Sequence, residues 1–198
     1  MLERLDRGNL FLVPLDDRRE WYRYHHLFVD VLLARLMDEQ SGIVPDLHRR
    51  ASAWYEAHGE PLEAIRHALA AGDVDRAAGL IELAMPGVRS SRQGTTDVLG
   101  WFRALPEDAF ASRPVLNVHY AGLLLDSGQL ARADARLRDA EQWLVAHPGT
   151  DPRSTDTAGT PSVIDEAEFR RLPGSIAVYR TSRSAARVKF RSSATARK

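Results

Sequence analysis

Histidines are the residues of this sequence best suited to chemistry, because a neutral imidazole can bind a metal ion or act as a general base near neutral pH. The sequence contains seven of them: His25, His26, His48, His58, His67, His119 and His147. Ligands that share one ion must lie on one face, two residues apart on a strand or four apart on a helix, so the adjacent His25 and His26 would diverge. There is no cysteine, and no carboxylate completes a site at ligand spacing. We therefore predict no metal site.

Patterns that support nucleophilic catalysis or phosphate binding do not occur in the sequence. A serine nucleophile would need a rigid turn such as Gly-x-Ser-x-Gly, and a phosphate-cradling loop would need Gly-x4-Gly-Lys-Ser/Thr. The acid pairs Asp16/Asp17 and Glu166/Glu168 fall in segments that we interpret as polar, solvated turns. We predict no catalytic residue, no cofactor held by this chain and no enzymatic activity.

The elements that must position these residues begin with a short β-rich segment. NLFLVPLD predicts a strand, DRRE a turn, and WYRYHHLF a second strand rich in aromatic residues. From Leu27 the apolar spacing becomes helical and continues to about Gln40, where Ser41 and Gly42 end the helix. A hairpin with one helix buries too little apolar surface to be stable alone, so we expect further material to pack on it.

From Pro45 to His147 the apolar residues recur at helical spacing, which predicts antiparallel helical pairs. Three of the predicted turns share a glycine followed five residues later by an alanine, namely Gly59/Ala64, Gly72/Ala77 and Gly128/Ala133. The first and last glycines are 69 residues apart, close to twice the 34-residue tetratricopeptide period. We predict a mainly α fold with a tetratricopeptide-like α-solenoid, with an ordinary helical bundle as the alternative. His58 and His67 are expected to cap or pack.

The predicted organisation has five segments. Residues 1–41 form the hairpin and helix, 45–147 the helical repeats, 148–162 a flexible linker, 163–180 a partial continuation of the solenoid, and 181–198 a basic tail. The tail has six basic side chains and no acid, although the formal net charge of the 198 residues is zero. We expect the tail to be disordered or to come from a shifted reading frame. The sequence shows neither a leader nor an apolar run long enough to span a membrane, so we expect a cytoplasmic protein without a membrane partner.

Two stretches resemble a known family. LERLDRGNLFLVPLDDRREWYRYHHLFVDVLLARL and VPDLHRRASAWYEAHGEPLEAIRHALAAGDVDRAAGLIE are similar to the middle of large bacterial LuxR-family transcriptional regulators of the MalT type. The resemblance runs from residue 2 to about 148 and resumes at FRRLPGSIAVYR. It implies a signal-transduction ATPase with a P-loop domain, a winged-helix domain, a tetratricopeptide-like sensor and a C-terminal helix-turn-helix. Within that plan, this chain would be an internal fragment, with the end of the winged helix and the start of the sensor but neither the ATPase nor the helix-turn-helix domain.

The resemblance also suggests roles for particular residues. Tyr24-His25-His26-Leu27 is similar to a Met-His-Asp-Leu motif whose histidine reaches bound ADP in related ATPases, which implies that His25 is a latent nucleotide sensor. A packing role for the histidine pair remains the alternative.

The residues expected in the structural core are Trp21, Tyr24, Leu27, Trp54, Tyr55, Ile65, Trp101 and Tyr120.

The expected function is therefore that of a regulator segment. Its repeats would bind an inducer or a partner protein on their concave face and couple that binding to nucleotide state, with ATP or ADP held by the ATPase domain and DNA contacted only through the helix-turn-helix. Two alternatives remain open: a stand-alone tetratricopeptide-type adaptor, and a winged-helix DNA-binding protein. The mixed charges of the hairpin weaken the second alternative.

Overall fold

The computed structural model of the chain describes residues 12–15, 17–18, 22–24, 26–90, 95–149 and 165–195. The chain divides into two compact units, Met1–Leu47 and His48–Lys198. The predicted linker at 148–162 lies almost entirely outside the described residues.

The first unit consists of a β-hairpin followed by a helix, as predicted. Strand β1 (Leu12–Pro14) pairs antiparallel with β2 (Tyr22–Tyr24), and helix α1 (His26–Gln40) leads into a 3-10 turn (Ser41–Ile43). Both strands are shorter than the sequence predicted: Pro14 cannot donate to a ladder, and the helix already begins at His26.

From Val44 onward the described residues are almost entirely helical, which confirms the mainly α fold. The elements are α2 (Val44–Ala57), α3 (Pro61–Ala70), α4 (Val74–Ser90), α5 (Thr95–Ala104), a second 3-10 turn (Glu107–Phe110), α6 (Pro114–Asp126), α7 (Leu130–Ala146) and α8 (Glu166–Thr195). Pro61 and Pro114 each open their helix, where a missing amide hydrogen removes no helical bond.

The three glycine turns share one geometry. Gly59, Gly72 and Gly128 have φ of +75°, +68° and +76°, a left-handed conformation that favours glycine. In each turn the next residue donates its amide to the carbonyl five positions back: Glu60 to Tyr55, Asp73 to Ala68, and Gln129 to Leu124, at 2.8–3.1 Å. This is the Schellman arrangement, and it sends the following helix back along the preceding one. The paired alanines, Ala64, Ala77 and Ala133, are fully buried.

Alternate helices run in the same direction. Arg113, just before α6, reaches Asp75 at the start of α4, whereas Gly122 near the end of α6 faces Arg89 near the end of α4. Tyr179 lies well after the start of α8 and faces the same Gly122. Helices α4, α6 and α8 therefore lie side by side and parallel, and the tight turns make their partners α3 and α7 antiparallel to them.

Helix α6 lies at the centre of this stack. Every residue from Pro114 to Leu124 is buried, because α4, α5, α7, α8 and the second 3-10 turn all pack against the helix. One side of α6 belongs to the larger apolar cluster, which includes Ile65, Ile81, Met85, Phe102, Leu116, Tyr120 and Leu124. Its other side packs on α7 and α8 through Val115, Val118, Ala121, Leu137, Leu172 and Ile176.

The expected core residues divide into three groups. Ile65 and Tyr120 are buried, and Tyr55 and Trp101 are partly buried. The predictions for Tyr24 and Trp54 were wrong, since both side chains are more than a third exposed. Trp54 stacks on His58 at the surface and contacts Tyr55 edge-on, so its apolar spacing reflects a surface cluster. Trp21 and the side chain of Leu27 lie outside the described residues.

Helix α8 extends into the segment that we predicted to be disordered. The helix continues from Glu166 to Thr195, through most of the basic tail. The tail from Thr181 to Thr195 contains no glycine or proline, and its alanine and arginine residues have high helix propensity. The expectation of disorder is therefore wrong for residues 181–195, because low apolar content alone does not end a helix that has already formed, and the alternative of a shifted reading frame stays a prediction.

Candidate ligand-binding groove

Two of the seven histidines act as helix caps. The Nδ1–H of His58 donates to the carbonyl of Trp54 at 2.7 Å, and that of His147 donates to the carbonyl of Trp143 at 2.9 Å. Each imidazole also stacks on the same tryptophan, with ring centroids 3.8 and 4.4 Å apart. The two Trp-x3-His segments thus satisfy terminal carbonyls of α2 and α7.

His48 and His67 form a side-chain pair between α2 and α3. Their Nδ1 atoms are 2.8 Å apart, and Tyr55 stacks on His67 with ring centroids 5.3 Å apart. Burial, followed by the charges of Arg66 and His48, lowers the pKa of His67. The hydrogen bond between the two Nδ1 atoms joins α2 to α3.

His25, the residue proposed to sense a nucleotide, lies outside the described residues, and His26 is exposed at the start of α1. Among the residues that the structure describes, no three His, Asp or Glu side chains are grouped as a metal site would require. No described helix is long and apolar enough to cross a membrane.

His119 differs from every histidine described above. It lies on α6 and is only 3% exposed, yet neither ring nitrogen has a hydrogen-bond partner among the described residues. Its pKa is lowered to about 4, chiefly by burial and also by the charge of Arg89, while the carboxylates of Glu168 and Asp165 partly oppose the shift. At neutral pH the ring is therefore a neutral imidazole with one unsatisfied donor and one unsatisfied acceptor.

An open groove of about 700 Å³ runs between α4, α6 and α8, and His119 forms part of its lining. Arg89 of α4 donates to the hydroxyl of Tyr179 on α8, and its guanidinium lies 5.4 Å from the centre of that ring. Gly122, one turn along α6 from His119, makes room for both side chains. A Cβ atom on Gly122 would lie 2.7 Å from the Tyr179 hydroxyl, so the absence of a side chain there gives the groove its shape.

Two of the three arginines that line the groove pair with carboxylates, and the third has no such partner among the described residues. Arg170 pairs with Glu166 at 3.0 Å and Arg171 with Glu168 at 2.9 Å. Arg89 has no carboxylate partner among the described residues, and its polar contact is the neutral hydroxyl of Tyr179. The interpretation of Glu166 and Glu168 as residues of a turn was wrong: both lie in the first turn of α8, where acidic side chains favour the helix dipole.

A buried ion pair lies at the other end of the same helices. Glu82 of α4 is 2% exposed, and its Oε2 lies 3.9 Å from a guanidinium nitrogen of Arg113, which is 7% exposed. Burial raises the pKa of Glu82 to about 7, although Arg113 and the backbone amide of Leu116 favour the charged form. The carboxyl is therefore close to half-protonated at neutral pH.

Sequence reasoning missed this groove. His119 was counted among the histidines, but no local pattern marked it, because the residues that bury it come from helices some 30 to 60 positions away. The nearest sequence signal was the polar histidine inside the otherwise apolar run of α6.

The arrangement can bind a ligand or a partner, and the described residues place no nucleophile beside a base. The fold and groove therefore define a helical module with a candidate binding groove, which follows a hairpin-and-helix unit in the chain.

Comparison with known proteins shows what the chain is similar to. Residues 1–44 match the MalT winged helix domain. The chain is 38% identical over 148 residues to the serine/threonine-protein kinase PknK of Mycobacterium tuberculosis, a match that covers 71% of this chain and 13% of the kinase. It is 35% identical over 141 residues to the transcriptional regulator MalT of Cronobacter sakazakii, covering 71% of this chain and 16% of the regulator.

The MalT of Klebsiella pneumoniae is also 35% identical, over 150 residues, which cover 75% of this chain and 16% of that protein. No solved structure matches the chain. The first 44 residues thus match the MalT winged helix domain, and the comparisons support a MalT-like regulator fragment. It spans less than a fifth of the length of these relatives, at 13–16%.

Proposed function

We propose that the chain is the winged-helix and sensor segment of a LuxR-family, MalT-like regulator, and that its helices are tetratricopeptide-like repeats that bind an inducer or a partner protein. The groove between α4, α6 and α8 is the binding surface. In the larger protein, binding would be coupled to the nucleotide state of an ATPase domain, and DNA would be contacted through a helix-turn-helix domain, in the cytoplasm.

The observation that carries this proposal is the unpartnered imidazole of His119. A buried polar group without a hydrogen bond costs on the order of 1–3 kcal/mol, so His119 makes this helix stack less stable than a satisfied side chain would. A ligand whose binding moves the groove lining enough to reach a ring nitrogen would recover that free energy. The parallel stack of α4, α6 and α8 supports the same conclusion, because repeat proteins use such stacked faces for recognition.

A thermal-shift screen that compares two glycine-to-alanine variants tests the proposal. Gly122→Ala places a methyl group against Tyr179 and distorts the groove, whereas Gly100→Ala, at an exposed position of α5, meets nothing within 4 Å. A library of sugars, organic acids, nucleotides and peptides is screened for compounds that raise the melting temperature of the wild-type chain. We expect a true inducer to raise it equally in Gly100→Ala and to lose most of the effect in Gly122→Ala.

The same comparison can also show that the groove is not the binding site. A ligand whose shift is identical in wild type, Gly100→Ala and Gly122→Ala binds elsewhere. Hydrogen exchange with such a ligand would then show protection outside α4, α6 and α8, and the sensor surface would have to be sought there.

The nucleotide role of His25 is proposed on the family resemblance. In a protein that carries this segment together with its ATPase domain, His25 would donate to a phosphate oxygen of ADP. We expect His25→Ala to speed ADP release from that protein, measured with a fluorescent ADP analogue. An unchanged release rate would leave the histidine pair with a packing role.

A further inference from the structure

We infer that the groove between α4, α6 and α8 selects a small oxyanion, a carboxylate or a phosphate monoester, whose charged oxygens are bound by Arg89 and whose negative charge acts on the ring of His119. The inference rests on the proposed function, because it names the ligand chemistry of the same groove. The inferred ligand is therefore an anion rather than a neutral molecule.

Arg89 supplies the charge. Three arginines line the groove, Arg89, Arg170 and Arg171, against the single carboxylate of Glu168. The latter two arginines already pair with carboxylates of their own helix, so Arg89 is the lining cation without such a partner among the described residues. A guanidinium binds carboxylate and phosphate oxygens through a planar fork of N–H donors, which matches an oxyanion better than a hydroxyl.

Tyr179 and Gly122 hold that arginine in place. The hydroxyl of Tyr179 accepts from one guanidinium nitrogen, and the ring lies within cation–π distance of the guanidinium. Gly122 lets both groups approach α6 closely, since a Cβ there would come within 3.3 Å of the Arg89 guanidinium as well. Less side-chain freedom is then lost when a ligand binds, because Arg89 is held before the ligand arrives.

His119 supplies a signature of binding. Both of its ring nitrogens are enclosed, without a hydrogen-bond partner among the described residues, and the negative charge of a ligand on Arg89 would stabilise the imidazolium form. Oxyanion binding therefore raises the pKa of His119, and affinity increases as the pH falls. The charged groups that act on His119 from the packed elements are Arg89 on α4, Glu168 on α8 and Asp165 just before α8, and all are present in both the free and the bound state.

The test is a titration of the full chain at pH 7, followed through the ring nitrogens of His119 by long-range proton–nitrogen NMR. The probes are inorganic phosphate, succinate and glucose, at an ionic strength held constant with sodium chloride. We expect phosphate or succinate to shift the His119 signals in a saturable way, while glucose and chloride do not. The tighter of the two oxyanions distinguishes a phosphate ligand from a carboxylate ligand.

Two matched variants test whether Arg89 supplies the positive charge that binds the oxyanion. Arg89→Gln should weaken oxyanion binding by about tenfold or more, since a charged hydrogen bond contributes roughly 1.5–3 kcal/mol. Arg170→Gln, which removes a groove arginine already paired with Glu166, should change the affinity by less than about threefold, on the small contribution expected of an exposed ion pair. Circular dichroism of each variant verifies that the helices are intact.

Each outcome supports or overturns the inference. Saturable shifts with glucose and none with the oxyanions would overturn the oxyanion inference and leave the sensor function standing with a neutral ligand. Equal weakening in both variants would show that general charge attraction, and no specific site, brings the anion. If no probe shifts His119 and the compounds found by thermal shift ignore Gly122→Ala, both the inference and the proposed function fail.

Discussion

Glu82 and His119 make opposite contributions to stability when the pH changes. The pKa of Glu82 is raised from 4.5 to about 7, so the folded chain holds this proton more tightly than the unfolded chain. Its contribution is fully present below pH 4.5 and is lost as the pH rises to about 7. The pKa of His119 is lowered from 6.5 to about 4, so its contribution is present above pH 6.5 and is lost as the pH falls to about 4.

The two effects nearly cancel between pH 4.5 and 6.5. Each changes the free energy of unfolding by about 1.4 kcal/mol per pH unit, with opposite sign. Relative to wild type, Glu82→Gln should therefore lose about 3 kcal/mol of stability between pH 6.5 and 4.5, because the His119 contribution is no longer offset. His119→Gln should gain about the same amount over the same interval, and the double variant should follow the wild type.

Urea unfolding followed by far-ultraviolet circular dichroism at pH 4.5, 5.5, 6.5 and 7.5 measures these differences. Glu60→Gln is the control, since it makes the same chemical change at an exposed position that precedes α3. The reasoning is refuted if the stability difference between Glu82→Gln and wild type stays constant across this range. A pH-dependent difference in the Glu60→Gln control would equally show that burial is not the cause.

Three further changes in urea-unfolding free energy test the fold. Ser52→Ala should lose about 1–3 kcal/mol, because the buried hydroxyl donates to a carbonyl of α3 and accepts from Arg76 of α4, both at 2.9 Å. Leu137→Ala should lose about 2–5 kcal/mol by leaving a cavity, while Val145→Ala on the exposed side of α7 should lose less than about 0.5 kcal/mol. Gly72→Ala should lose about 1 kcal/mol through its positive φ, and no loss would contradict the left-handed turn.

The turns were predictable from sequence because their cause is local. A glycine that ends one helix and an alanine that lets the next approach closely are set by backbone sterics within six residues. The hairpin was readable for a similar reason, since alternation and turn residues lie side by side in the chain. In the same way, the apolar spacing of α6 revealed a helix before any partner was known.

The groove was not predictable because its parts are joined only by tertiary packing. The apolar spacing predicts burial for both Trp54 and Tyr55. Only the placement of the neighbouring helices leaves Trp54 exposed and Tyr55 partly buried. His119 is one polar residue within an apolar helix, and nothing local indicates that α4 and α8 bury it without giving it a partner. Nothing in the sequence around Glu82 indicates its raised pKa, because that pKa depends on the helices that enclose the side chain.

The enclosure of α6 also sets the order in which this stack can come apart. In a stack of hairpins each layer is stabilised by its neighbours, so opening proceeds from the outer layers and reaches the middle one last. Departure of α8 would uncover one side of α6, while the contacts with α4 remain. A ligand that ties Arg89 of α4 to α8 across the groove opposes this first step of opening. The rate at which α8 amides exchange with solvent is therefore a direct readout of groove occupancy, and α6 amides should exchange slowest in either state.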